Sequence, residues 1–422
     1  MSAPSIPSGD IPDVSCPFCG LVCDDLVVTA TGSQLTVRTN GCGLAVTSFG
    51  KGSPATVSPR IAGRQVELAA AVAEAARLLR DARQPLIAGL ATDVAGARAA
   101  AELADRCGGV LDHMNASAAM RNILVLQDTG WITTTYSEVR NRADLLVAVG
   151  TDIISRFPRF FERCIANRET LFGSDRACEV IFVGRRLPDG SSIPGVTPRV
   201  IDCDVSRLHE AFGVMRALLA GRKLAATGAA GAPLATWRQL LERMQAARYG
   251  VAAWAAPDLD FPHAELTVQA LCELIKDLGK QSRFSGLPLG GSDGDLTADA
   301  VHLWQTGFGS RTSYGSGQPD HDPYHYSTSR LLERGADVLV WISSFNEARV
   351  PPATTIPVVV LGRAGMSFER EPAVYIPVGT PGLDHAGHLF RGDRVVALPL
   401  RQLRPSSLPS AAEAIAAIQT AL

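Results

Sequence analysis

Apolar positions along the chain fall into two patterns. In Glu67-Leu-Ala-Ala-Ala-Val-Ala-Glu-Ala-Ala-Arg-Leu-Leu-Arg80 they recur every three or four residues among strong helix formers, which predicts an amphipathic helix. Val94 to Arg106 and His263 to Leu278 read the same way. Between such stretches stand short runs with no alternation: Pro85-Leu-Ile-Ala-Gly-Leu90, Leu145-Leu-Val-Ala-Val-Gly150, Val180-Ile-Phe-Val-Gly184, Val251-Ala-Ala-Trp254, Val338-Leu-Val-Trp-Ile342 and Pro357-Val-Val-Val-Leu361. Strands apolar on both faces and separated by helices argue for parallel sheets covered on both sides. The expected class is therefore α/β, with two open, mostly parallel sheets. Expected divisions are 1–55, a first α/β domain at 56–225, a second at 235–370, and a β-rich tail at 371–422 carrying Val374 to Val378 and Arg394 to Leu400. Leu187 to Pro198 and Ala225 to Pro233 read as exposed connections. The Gly108-Gly109 and Gly315-Ser-Gly317 clusters lack the spacing of a dinucleotide or phosphate loop and are turns.

The first 55 residues break this pattern. Asp25 to Arg38 reads as strand, Gly-containing turn, strand, so it predicts a hairpin. Cys16, Cys19 and Cys23 precede it in Cys-Pro-Phe-Cys-Gly-Leu-Val-Cys, and Cys42 follows it in Asn-Gly-Cys-Gly. A hairpin returns the chain to its start, bringing Cys42 beside the other three. Four convergent thiolates suit an iron–sulfur cluster or zinc; four reduced, buried thiols without metal are the plain alternative.

Composition narrows the function classes. At 422 residues two or three domains are expected. Apolar residues reach 46% and charged residues only 19%, which suits a subunit partly covered by partners. A formal charge of −2 gives no footprint for nucleic acid. No run has the 18 or more apolar residues of a membrane span, and the polar, Pro-rich start is unlike a secretory signal. Cys107, Cys164, Cys178, Cys203 and Cys272 are scattered and read as reduced core residues, so a cytoplasmic location is expected.

The four-cysteine opening, Ser137-Glu-Val-Arg-Asn-Arg-Ala-Asp144, Gly150-Thr-Asp-Ile-Ile-Ser-Arg-Phe-Pro-Arg159, Leu303-Trp-Gln-Thr-Gly-Phe308 and Leu331-Leu-Glu-Arg-Gly-Ala-Asp337 together resemble the B subunit of formylmethanofuran dehydrogenase. That family belongs to the molybdopterin oxidoreductases. The resemblance implies a [4Fe-4S] cluster on Cys16, Cys19, Cys23 and Cys42, and a molybdenum or tungsten ion held by two pterins and a further cysteine. This chain departs there. Asn115-Ala-Ser-Ala-Ala-Met-Arg-Asn122 stands where a metal-ligating cysteine is expected, and no cysteine occurs between Cys107 and Cys164. Ala118 and Ala119 offer no donor. Ser117 and His113 are conceivable oxygen and nitrogen ligands.

A redox-silent branch fits the loss: the formyltransferase/hydrolase complex of methylotrophs, which passes a formyl group from formyl-tetrahydromethanopterin to methylofuran and releases formate. The resemblance then implies a non-catalytic scaffold or carrier-holding member of that complex, partnered by its A, C and D subunits and by methylofuran, with no molybdenum or tungsten pterin. A catalytic Mo/W dehydrogenase subunit and a stand-alone zinc-stabilised protein are the alternatives. A carrier bearing glutamates needs cations, and Arg156 and Arg159, with Arg163, follow a strand where open α/β sheets place ligands. Arg140 and Arg142 are expected to serve packing. Asp320 to His325 reads as turn chemistry, His385 and His388 form an H-x-x-H without a third ligand, and Asp24-Asp25 cap the hairpin.

Overall fold

The computed structural model describes residues 9–52, 57–166, 170–171, 177–185 and 192–422. Two compact units divide the chain: residues 1–116 with 291–422, and residues 117–290.

The first unit is built on a parallel sheet ordered Val110–Leu111, Pro85–Ala91, Val338–Ser343, Val358–Arg363, Val374–Val378. Short antiparallel strands extend both edges. The central strands are buried along their whole length, as their unbroken apolar runs predict. One face is covered by three Ala-rich helices, Leu68–Asp81, Val94–Cys107 and Ala411–Ala421, packed on Ile87, Val340, Leu361 and Ile376. Each helix stops or starts for a local reason. Asp93 accepts the Gly96 amide at 3.0 Å, Gly108 ends that helix at φ 64°, and Ser410 with Glu413 forms a capping box. On the opposite face Leu86, Leu339, Trp341, Val360 and Tyr375 pack under Leu331 and Met366.

The second unit carries a five-stranded, all-parallel sheet ordered Arg199–Ile201, Glu179–Val183, Leu145–Val149, Gly250–Ala255, Phe284–Leu289. Helices Leu208–Leu219, Leu234–Ala246 and Ala264–Gly279 bury Phe212, Trp237 and Leu271 against it.

The expected class holds, and the structure corrects its details. The contiguous halves expected at 56–225 and 235–370 are not what the sheets follow. Pro85–Ala91 pairs with Val338–Ser343, and Leu145–Val149 pairs with Gly250–Ala255, so the second unit is an insertion in the first. The expected tail strand at Val374–Val378 is a parallel member of the first sheet, and the chain closes on a helix. Ala225 to Pro233 is not wholly exposed: a hairpin of Gly228–Ala229 and Ala232–Pro233 buries Ala229, Ala230 and Ala232. Leu187 to Pro198 lies partly outside the described residues. Among the described residues no helix is long and apolar enough to cross a membrane.

Candidate functional site

The expected hairpin forms from Leu26–Thr31 and Gln34–Thr39, and Gly9–Val14 adds a third antiparallel strand. Cys16, Cys19 and Cys23 occupy the turn between the first two strands. Its backbone closes on itself, with the Cys16 amide donating to the Cys23 carbonyl at 2.8 Å and the Val22 amide to that of Cys19 at 3.1 Å. Asn40, at φ 61°, donates from its side chain to the Asp25 carbonyl at 2.8 Å, tying the returning strand to the start of the outgoing one. Cys42 then begins the helix Gly43–Gly50 as its N-cap residue. The Phe18 ring, inside the cysteine turn, meets the Phe49 ring of that helix edge-on at 5.3 Å.

Three of the thiols are buried and Cys42 is half-buried. Burial, and then the negative charge each thiolate would feel from the others, pushes Cys16 well up and Cys19 up to about 12. As placed, Cys16 and Cys19 are held as neutral thiols. Four sulfurs at one end of one small sheet are the donor set of a soft ion. Among the described residues no three of His, Cys, Asp and Glu are disposed to hold a metal.

The cysteine turn docks on the carboxyl edge of the first sheet. Gly291, at φ 99°, lets the turns touch, since a Cβ there would stand 2.5 Å from the Gly20 Cα. The Gly392 amide donates to the Gly20 carbonyl at 2.6 Å, and Val22 packs with Ala91, Phe345, Leu389 and Leu400. Beside it, where strand Val110–Leu111 ends, lies a closed polar network. His113 Nδ1 accepts the Asn115 amide at 2.9 Å, which leaves Nε2–H to donate to the Asp293 carbonyl at 3.2 Å. Asn115 Nδ2 donates to the Ser292 carbonyl at 3.1 Å and to Asp295 at 3.3 Å. Its Oδ1 accepts from Arg349 at 2.5 Å, and Arg349 also pairs with Asp293 at 3.2 Å. Burial pushes the Asp295 carboxyl up. The amide of Asn115 is spent on the fold. Of the two conceivable metal ligands there, His113 has both ring nitrogens engaged.

In the second unit the two expected anchors differ. Arg156 grips Asp258 through Nε and Nη2 at 2.8 and 2.6 Å, and about 35% of its side chain stays exposed. Arg159 is buried and forks onto Glu162 at 2.6 and 3.0 Å. Two further arginines, not singled out by the sequence, join Arg156 at the carboxyl edge of this sheet. Arg121 donates to the Ala256 carbonyl at 2.8 Å and pairs with Asp260, and Arg185 donates to the Asp258 carbonyl at 3.3 Å. Burial alone would raise the Asp258 carboxyl; Arg156, Thr151 and the Asp152 amide outweigh it and hold it below the usual range.

The remaining candidates are local structure. Asp322 accepts the Tyr324 and His325 amides and faces His325 Nδ1 at 2.7 Å, a turn as expected, and these bonds lower it to about 2. Arg142 pairs with Glu138 on one helix face. His385 Nδ1 lies 2.9 Å from the Ala386 carbonyl, and His388 is exposed.

No family model matches the chain. It is 29% identical over 368 residues to the B subunit of the formyltransferase/hydrolase complex of Methylorubrum extorquens, covering 85% of this chain and 95% of that protein. It is 26% identical over 401 residues to the B subunit of tungsten-containing formylmethanofuran dehydrogenase 2 of Methanocaldococcus jannaschii, covering 91% of each. A chain of the M. extorquens formyltransferase/hydrolase complex, solved with methylofuran, superposes with a TM-score of 0.73 at 26% identity, covering 86% of this chain and 98% of that one. Acetylene hydratase from Pelobacter acetylenicus shares the fold alone, with a TM-score of 0.60 at 10% identity over 97% of this chain and 69% of its own. The resemblance read from the cysteine opening and the later motifs is borne out along most of the chain.

Proposed function

We propose that this relative of the formylmethanofuran dehydrogenase B subunit is a redox-silent member of a formyltransferase/hydrolase-type complex, serving as scaffold and as holder of a furan carrier. The observation that carries the reading is Asn115. It opens the stretch where the resemblance implies a metal-ligating cysteine, and its amide is bonded to Ser292, Asp295 and Arg349. The similarity to the M. extorquens protein along 95% of its length supports the partner set, the A, C and D subunits with methylofuran. The comparable similarity to tungsten-containing relatives favours one rival, a subunit that holds Mo or W.

Elemental analysis of the purified complex separates them. We expect below ~0.1 Mo or W per chain and no reduction of viologen dyes by the formylated furan, because the soft ligand is missing. Stoichiometric Mo or W with dye reduction would establish the rival. The same assay addresses the four thiols, proposed as a place for zinc or an iron–sulfur cluster. Binding would require the turn to draw its sulfurs together. About one Zn, or the iron of one cluster, lost in Cys19→Ser would support such a site. Absence of both metals removes it.

The carrier-holding part rests on Arg156, flanked by Arg121 and Arg185, rather than on the buried Arg159. Each charge-assisted contact to a carrier carboxylate is worth roughly 1.5–3 kcal/mol when desolvated. Arg156→Ala is expected to lower carrier retention by the assembled complex about tenfold or more. Mass spectrometry of the extracted carrier measures it. Full retention in an assembled Arg156→Ala complex would make this arginine structural.

A further inference from the structure

We propose that Arg363 and Arg404 are positioning residues for Cys42: by gripping the far end of the helix that Cys42 begins, they fix where its thiol stands. The helix Gly43–Gly50 has eight residues, no acidic residue in its first turn and no side-chain bond at its N-cap. So short a helix does not hold itself in water, and its place must come from tertiary anchors. One anchor is the fully buried Phe49, edge-on to Phe18 of the cysteine turn. Two more are cations at its carbonyl end. Arg404 Nη1 donates to the Lys51 carbonyl at 3.0 Å, and Arg363 Nη2 reaches the Ser48 carbonyl at 3.5 Å. Cations are favoured there by the unpaired carbonyls and the helix dipole.

Both arginines are buried and tied to the first sheet. Arg404 Nε bonds Asp384 at 2.7 Å, and Asp384 in turn accepts the Thr380 amide at 2.8 Å. Arg363 donates to the Phe345 carbonyl at 2.7 Å and lies 3.7 Å from Glu347, which also pairs with Lys51. Two buried guanidiniums are costly where apolar side chains would pack as well. What they provide here is direction: planar donors that hold sheet and helix at once. The helix is then a short arm that runs from Cys42, at its amino end, to these two arginines. This rests on the shape of the module and not on what fills it, so a complex devoid of zinc and iron leaves it standing.

The test is time-resolved alkylation of the folded full-length chain with iodoacetamide, read cysteine by cysteine by mass spectrometry. In Arg404→Met and Arg363→Met, Cys42 is expected to react roughly tenfold faster, as one directional charge-assisted contact is lost. Half-buried Cys107 and Cys203 should keep their rates, and Arg404→Lys should fall between, since lysine keeps the charge without the fork. Wild-type rates at Cys42 in the folded methionine variants overturn the proposal. If those variants react at every buried cysteine, the fold itself is lost and Arg404→Lys and Arg363→Lys decide. Unchanged Cys42 rates in both lysine variants overturn it, and selective acceleration at Cys42 sustains it.

Discussion

Gly291→Ala is expected to cost the first unit about 2–4 kcal/mol, far more than the same change at Gly365. The two glycines have nearly the same φ, 99° and 96°. At Gly365 a new Cβ meets nothing within 4 Å, so only the left-handed strain is felt, about 1 kcal/mol. At Gly291 the Cβ would stand 2.5 Å from the Gly20 Cα, and neither backbone can yield like a flexible side chain. The wedge would lift the cysteine turn from the carboxyl edge and disturb the Val22 contact with Phe345 and Leu400. Urea unfolding of both variants measures the difference as a shift in midpoint at unchanged slope. Equal losses at the two positions would mean that the cysteine turn is not pinned there.

The strands were legible because burial on both faces leaves unbroken apolar runs. Pro85–Ala91, Leu145–Val149 and Val338–Ser343 fall within a residue or two of the expected bounds. Which strand pairs with which was not legible. The same Val, Ile, Leu and Ala fill both sheets, so nothing in the pattern says that Val338 lies beside Pro85, far away in sequence. The insertion of one unit into the other therefore stayed hidden. The cysteine hairpin was readable from spacing and from Gly32, whereas its third strand, Gly-Asp-Ile-Pro-Asp-Val, has too many turn residues to announce itself.

At the site, the sequence shows no cysteine between Cys107 and Cys164, where the resemblance implies a metal-ligating one. What the stretch opened by Asn115 bonds to is a matter of tertiary contact. Arg349 sits in an irregular Pro-rich connection, and Arg363 and Arg404 are two among 40 basic residues. Their roles come from landing beside Asp293, Ser48 and Lys51, distant in sequence. One signal was available in advance: Gly290-Gly-Ser-Asp-Gly294 is a glycine cluster opening a helix, and close backbone approach is a standard reason for one. Arg159 shows what spacing alone does not reveal. Its place after a sheet strand suggested a ligand anchor, and three residues on stands Glu162, onto which its guanidinium folds.

Acid is expected to weaken the first unit through His302. His302 is fully buried on the helix Asp295–Thr306, faced by Asp299 and His113. Burial lowers it to about 4, against an opposing pull from Asp299. An unfolded histidine takes up its proton near pH 6.5. Between about 6.5 and 4 the unfolded chain binds the extra proton and the folded chain does not, so stability falls as pH falls. The loss reaches about 3 kcal/mol once pH passes below the folded value. Other groups move in different directions. The raised carboxyls of Asp112 and Asp295 gain protons more readily when folded and so oppose the trend. The depressed Asp258 and Asp322 give up their stabilisation only at still lower pH. The clean measurement is therefore a difference. His302→Leu, compared with the parent by urea unfolding at steps from pH 7.5 to 4.5, should remove the decline specific to this residue while leaving the carboxylate behaviour in place. The gap between the two curves should close or invert by about 2–3 kcal/mol over that range. Parallel curves would mean that the imidazole reaches a proton in the folded state as easily as in water, which its burial on this helix forbids.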